Sequence, residues 1–311
     1  MLVWLIVGAL AAAALWFGAV FTITSFVVRP RRMTLDSAFS YFGPLGESMR
    51  QSYHALKREP FTVTADDGVR LSCEWVTPPQ PLPQPHVVIF VHGFGFNRVA
   101  AMKYLPMFLR CGYHAVLFDH RNSGESGGTH TTFGAKERHD LTRIVDAVFA
   151  RCGESACVGT VGESMGGATV LLHAAEDPRL RFVVADCAYA DCHAQLAYTF
   201  ARKAGVVGRL MLPLAAVLIK LRAGFSIRAV SPVRELADLC RPLPILFAHG
   251  TADTVVPYAH HAQLIAAYQG PKVVFVGENS RHTRSAVDNP EAYETAVEEL
   301  LTKAEQFQPR A

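Results

Sequence analysis

Six short apolar runs, separated by longer stretches of helical spacing, constrain this chain more than any other feature. Residues 87–91, 115–118, 158–161, 182–185, 245–248 and 273–276 are rich in Val, Ile, Leu, Phe or Ala. Runs this short, bounded by Gly, Pro and Asp, suit strands buried on both faces. Residues 137–151, 165–175 and 258–268 fit helices between them, and 290–304 closes the pattern with Ala292, Ala296 and Leu300 on one face. Upstream, "FTVTADDGVRLSCEW" reads as a hairpin turning at Asp67-Gly68, with Leu71, Cys73 and Trp75 alternating against Ser72 and Glu74. Strands alternating with helices imply an α/β fold, with a mostly parallel sheet covered by helices on both faces. Ligands bind such sheets beyond the carboxyl ends of the strands, so the residues just after each run are the candidates for chemistry.

The amino-terminal segment is of another kind. Leu2 through Val28 carries no charged residue. A helix of that length reaches roughly 40 Å, more than the ~30 Å of a bilayer's hydrocarbon core. A retained transmembrane anchor over 1–28 is the expectation. A cleaved signal peptide would carry a basic start and a shorter run, and a buried core helix is rarely apolar on every face. Residues 29–60 then read as a linker with some helical character, and 61–308 as the globular domain. Arg29, Arg31 and Arg32 follow the run, while only the amino group of Met1 precedes it. By the positive-inside rule this predicts a single-pass cell-membrane protein with the domain in the cytoplasm; export of the domain is the alternative.

Composition excludes little but usefully. Half the residues are apolar, enough for a large core, and a net charge of +3 with no basic stretch among aromatics argues against nucleic acid. Seven scattered cysteines without a C-x-x-C pair point to reduced thiols rather than a disulfide framework or a zinc site.

Gly-Glu-Ser occurs four times, ending at Ser48, Ser126, Ser155 and Ser164. Two copies complete G-x-S-x-G, around Ser126 and around Ser164. A nucleophile elbow needs a strand, a tight turn flanked by small residues, then a helix. Ser164 follows "CVGTV" and precedes Gly166-Gly167 and an apolar helix start. Ser126 sits in loop chemistry well after its strand, Ser155 precedes a strand, and Ser48 reads as a surface serine. A serine hydroxyl needs a base, and the base an orienting acid. His282 follows the run ending at Val276, and Asp253 the run ending at Ala248. Asp186, after "FVVA", is the rival acid; His260 and His261, on a helix, rank behind His282. Two backbone donors would serve a developing oxyanion: the N–H of Met165 and, from "HGFG", that of Phe94. His92 and His249 read as loop scaffolding, and Asp119, Arg121 and Glu125 as braces of their own loop.

"VHGFGFNR", "DHRNSGESGG", "GESMGG", "HGTADTVVP" and the late Arg281-His282 occur in this order. On these blocks residues 61 to about 304 resemble the α/β-hydrolase superfamily, and within it a serine aminopeptidase-like subgroup rich in membrane-anchored hydrolases. Similar proteins carry glycine where this chain has Asn122. The resemblance implies the α/β-hydrolase fold, a Ser164–His282–Asp253 triad and neither cofactor nor metal. Some sixty residues between the fourth and fifth runs are too many for a plain loop. Helices there, about 188–240, are expected as a lid, with the apolar stretch 210–219 between Arg209 and Lys220 also able to rest on a membrane. The expected activity is hydrolysis of a carboxylic ester, or a thioester or amide, of a small apolar acyl substrate. An acyltransferase, an aminopeptidase-type amide hydrolase and a non-catalytic binding protein on the same fold are the alternatives.

Overall fold

The computed structural model describes residues 1–306, so the last two positions of the expected domain, 307–308, lie outside the described residues. Eight strands form one sheet: β1 Arg58–Thr64, β2 Arg70–Val76, β3 His86–Val91, β4 His114–Phe118, β5 Cys157–Glu163, β6 Leu180–Asp186, β7 Ile245–Gly250 and β8 Lys272–Gly277. Their spatial order is β1-β2-β4-β3-β5-β6-β7-β8. The hairpin β1–β2 joins antiparallel at the β4 edge, and all later pairings are parallel. Each apolar run of the sequence is one strand. Val88 and Ile89 are wholly buried, as are Val183 and Val184, because helices cover both faces.

Those helices are α4 Leu105–Arg110 (after a 3₁₀ turn at Arg98–Lys103), α5 Glu137–Cys152, α6 Met165–Glu176, α8 Pro232–Asp238, α9 Ala259–Ala267, α10 Ser285–Asp288 and α11 Pro290–Gln306. One core lies between the sheet and the face carrying α4 and α11, with Phe108, Phe182, Leu246 and Tyr293 at its centre. The other holds Ile89, Leu141, Val145, Val170 and Phe247 under α5, α6 and α9.

Three segments differ from expectation. Residues 29–60 are not a loose tether: α2 Leu35–Tyr41 and α3 Pro44–Ala55 pack Phe39, Met49 and Tyr53 into the first core. The Tyr53 hydroxyl donates to Glu74 on β2 at 2.8 Å, and the guanidinium of Arg58 lies over its ring. The insertion after β6 is mostly one long helix, α7 Cys192–Ala223, broken where Ala204 and Gly205 leave helical geometry. α8 at its far end packs Leu236 into the second core rather than joining the cover. Finally α1, Leu2–Val28, does not end as a free rod. Its first fourteen positions are exposed, but Val20, Thr24 and Val28 are fully buried where it meets α7 and the domain. α1 and α7 are both long and apolar enough to cross a membrane by length and composition. α7, however, is broken and buries Leu196, Phe200, Met211 and Ile219 in the domain.

Candidate active site

β5 runs straight into α6 through Ser164, whose backbone is forced to φ 55° and ψ −117°. A left-handed φ on a residue with a side chain costs on the order of 1–3 kcal/mol and needs its surroundings to hold it. They do so by crowding. A Cβ on Gly162 would stand 2.3 Å from the Gly166 carbonyl oxygen, and one on Gly166 would stand 1.9 Å from that of Val91. The small residues of G-x-S-x-G are thus required by contact, and the turn lifts Ser164 to the carboxyl edge of the sheet.

Two loops meet it there. His282, beyond β8, has Nε2 2.9 Å from Ser164 Oγ and Nδ1 2.6 Å from Asp253 Oδ2, beyond β7. Asp253 Oδ1 accepts from the N–H groups of Val255 and Val256 at 2.8 and 2.9 Å. Burial works against its charge, yet hydrogen bonds from His249 and His282 hold its carboxyl well below the usual carboxylate range. An ionised Asp253 fixes the tautomer: Nδ1–H donates to the carboxylate, and Nε2 accepts from the serine hydroxyl. The residue after His282, Thr283, sits at φ 60°, a conformation a β-branched side chain resists.

Other candidates are placed elsewhere. Asp186 is fully buried, takes a bond from the Tyr104 hydroxyl at 3.0 Å, and makes none to His282. Burial pushes its carboxyl up, the reverse of what an anionic partner for an imidazolium needs. Ser126 is walled in: its hydroxyl donates to the Asp119 carbonyl at 2.6 Å and accepts from Ser72 N–H at 2.8 Å. Ser48 and Ser155 are exposed. His261 donates to the Phe247 carbonyl, and His260 accepts from the Ala190 N–H. His92 bridges the Gly93 carbonyl and the His120 N–H, tying the "HGFG" loop to the end of β4. His249 donates to the Val256 carbonyl and also approaches Asp253 at 3.3 Å.

The 119–128 loop is held more widely than its own braces. Arg121 clamps Asp140 on α5 and Asp67 at the hairpin turn. Asn122 stands at φ 58°, where glycine is unstrained and asparagine is among the better-tolerated alternatives. Its N–H donates to the Gly127 carbonyl at 2.7 Å, so the loop closes with either residue.

One feature beneath the site has no motif to announce it. Lys103 pairs with Glu163, the neighbour of Ser164, and donates to the Thr283 carbonyl beside His282 at 3.2 Å. Tyr104 donates to both Glu163 and Asp186. The sequence does not announce Lys103 and Tyr104, because they lie on an irregular turn and at its end, with no periodic signal. Cys187 also lies within 4.8 Å of Asp253 and His282. Burial pushes its thiol well up, so it stays protonated, and the other two groups already bond each other; this set does not suit a metal.

Two hollows flank Ser164. A cavity of about 520 Å³ is walled by Phe94, Phe133, Met165, Tyr189, Phe200 and Met211, among others. A smaller, more polar one of about 110 Å³, which shares Phe94 and Ser164 with it, reaches from Tyr41 and Phe42 to Glu163 and His282. Among the described residues, the N–H groups of Phe94 and Met165 have no acceptor within the protein, and both residues border the serine.

Fold and site together define the class: the chain has the α/β-hydrolase fold, and the groups gathered at the carboxyl edge of its sheet are those of a serine hydrolase. Residues 67–217 match the family described as X-Pro dipeptidyl-peptidase (S15 family). The uncharacterized protein YqkD of Bacillus subtilis is 29% identical over 299 residues, 96% of either chain. Among solved structures, the Pyrococcus furiosus esterase Pf2001 is similar with a TM-score of 0.62 and 23% identity, over 81% of this chain and 94% of that one. The Pyrococcus horikoshii acylaminoacyl peptidase is similar with a TM-score of 0.60 and 15% identity, over 82% of this chain and 43% of that one.

Proposed function

We propose that this serine hydrolase cleaves carboxylic esters of apolar acyl groups through an acyl-enzyme, with Ser164 as nucleophile, His282 as general base and Asp253 as the acid that orients it. The observation that carries the reading is the unbroken bond path from Asp253 through His282 to Ser164, ending at the floor of a large apolar cavity. Ser164 Oγ attacks the acyl carbon while His282 Nε2 takes its proton. The N–H groups of Phe94 and Met165 would receive the developing oxyanion, and the α6 dipole adds to their effect. The protonated imidazole then gives its proton to the leaving alcohol, and a water molecule repeats the sequence on the acyl-enzyme to release the acid. Asp253 stays ionised throughout.

Ester over amide is favoured by the mostly apolar walls, which offer no carboxylate or cluster of acceptors for a substrate amino group. The Pyrococcus furiosus relative of this fold is described as an esterase, the Pyrococcus horikoshii one as an acylaminoacyl peptidase. A panel of acyl esters and aminoacyl amides tests the choice. Turnover rising with acyl length on esters, and staying low on amides, is the expected result; faster cleavage of aminoacyl amides would overturn it. Free acid as the main product in the presence of an added alcohol would separate a hydrolase from an acyltransferase.

We assign Leu2–Val28 as a single membrane anchor, with the catalytic domain on the cytoplasmic side. Arg29, Arg31 and Arg32 form the positive flank, and Arg32 donates to the carbonyls of Ser126 and Gly128, keeping that flank against the domain. All seven cysteines are free thiols, in keeping with a reducing compartment. Alkaline phosphatase fused after Ala311 should be inactive; a fully active fusion would place the domain outside.

A further inference from the structure

The cavity at Ser164 is not closed by the α/β domain alone. Part of its wall is the last two turns of α1: Ile23, Phe26 and Val27 line it together with Phe200 and Met211 of α7. This contact is built, not incidental. Arg222 of α7 donates to the Phe21 carbonyl at 3.0 Å, to Thr24 Oγ1 at 3.0 Å and to Ser25 Oγ at 2.9 Å, with its guanidinium over the Phe21 ring. The Val28 carbonyl accepts from Thr131 N–H at 2.8 Å, and Arg29 bonds His130. Two of the three hydroxyl side chains of an otherwise apolar helix, Thr24 and Ser25, thus help fix its end beside the cavity.

The length of α1 places that end relative to a bilayer. Twenty-seven residues rise roughly 40 Å, and about 30 Å of that crosses the hydrocarbon core. The remaining ~10 Å is about seven residues, the turns that carry Ile23, Phe26 and Val27. The cavity wall thus falls at the boundary between acyl chains and headgroups, the depth at which lipid ester carbonyls lie. Around it the surface is suited to that boundary. Phe17, Phe21 and Phe26 of α1 and Val206, Val207, Leu210 and Leu221 of α7 are exposed. Arg29, Arg31, Arg202, Lys203, Arg209 and Lys220 are exposed beside them, cations for anionic headgroups. The break in α7 at Ala204–Gly205 borders the cavity, with Lys203, Ala204 and Gly208 all on its wall.

We propose that the substrate is a membrane glycerolipid whose acyl chain enters sideways from the bilayer, between the end of α1 and the broken α7. The proposal rests on Ser164 as the nucleophile and adds the substrate class and its route. The chain fills the apolar cavity, the ester carbon meets Ser164 Oγ, and the headgroup side occupies the smaller hollow by Glu163 and His282. The ester C–O bond breaks, the lipid alcohol leaves with the proton from His282, and water releases the fatty acid. α1 is then a wall of the acyl site as well as an anchor.

The test uses the full chain in vesicles of phosphatidylcholine and phosphatidylglycerol. A phosphatidylcholine with a diazirine on its acyl chain is photolysed with the Ser164→Ala protein, and the adducts are mapped. In parallel a fluorophosphonate is applied to the wild type, and fatty-acid release from the vesicles is compared with turnover of a soluble butyryl ester. Adducts within 23–27 and 196–211 are expected, and Val27→Trp should lower the ratio of vesicle to butyryl turnover by about tenfold or more. Fluorophosphonate labelling of Ser164 in Val27→Trp checks that its site is folded; if that variant does not label, Ile23→Trp takes its place. Adducts confined to residues 2–15, with Ser164 still labelled in the wild type, would overturn lipid entry and leave the hydrolase reading standing. Failure of the wild type to label at Ser164 would remove both.

Discussion

Ser126 and Ser164 share the G-x-S-x-G spacing, and their hydroxyls have opposite surroundings. Ser126 spends its hydroxyl on two backbone groups, one of its own loop and one of β2, whereas Ser164 faces an imidazole and two hollows. Ser126→Ala should therefore cost about 1–3 kcal/mol of stability, seen in a denaturant titration, and leave turnover per folded molecule as it was. The aspartates divide in the same way. Asp253→Asn should fold and lose kcat by on the order of 10⁴-fold, because the amide favours the wrong imidazole tautomer. Asp186→Asn should keep far more activity, since its carboxylate touches Tyr104 and not His282; a greater kcat loss there would reassign the acid. The serine distinction is legible in the sequence, because an elbow needs a strand before it and a helix after it; the aspartate one is not, since Asp186 follows an apolar run just as Asp253 does. Lys103 was not legible. A lysine on an irregular turn far from Glu163 in sequence gives no spacing to read, and only folding brings the two together.

At the scale of elements, legibility followed periodicity. Strands buried on both faces leave unbroken apolar runs, so six of the eight are visible that way, and β1 and β2 by their alternation around a turn, with edges at most three residues off. The helices between them were visible where one apolar face repeats over three turns or more, as in α5 and α11. α2, α3 and the turn at Arg98–Lys103 are short and carry mixed faces, so residues 29–60 read as a linker although Phe39 and Tyr53 are core. The end of α1 escaped for a different reason. Its apolar composition is fully explained by a membrane, which hides that three positions pack on α7. Where α6 meets β3 the tolerance is small. Gly166→Ala would push a methyl into the Val91 carbonyl, with no flexible side chain to give way. Loss of the folded protein is expected, read as a vanished cooperative thermal transition; a stable, active Gly166→Ala protein would contradict the elbow packing described here.

For the whole molecule, acid should be a weakness. His92, His120 and His261 are buried, and burial pushes each imidazole below its usual value, His261 to about 4. Unfolded, such groups take up protons near pH 6.5. Their folded values are depressed, so the stability they contribute is fully present above pH 6.5 and is lost as pH falls below it, for His261 through about 4. Urea midpoints measured across that window should decline steadily. His261→Gln keeps a donor for the Phe247 carbonyl and should flatten part of the decline; an unaltered slope would mean that His261 is not one of the groups responsible. The central claim concerns one oxygen atom, at the meeting point of sheet, cavity and anchor. Mass spectrometry of the full-length protein after fluorophosphonate treatment tests it most directly. A single adduct on Ser164 is predicted, absent from Ser164→Ala and strongly slowed in His282→Ala, with ester turnover in the serine variant down by roughly 10⁴–10⁶-fold. An adduct that persists on another serine in Ser164→Ala, together with retained turnover, would contradict it.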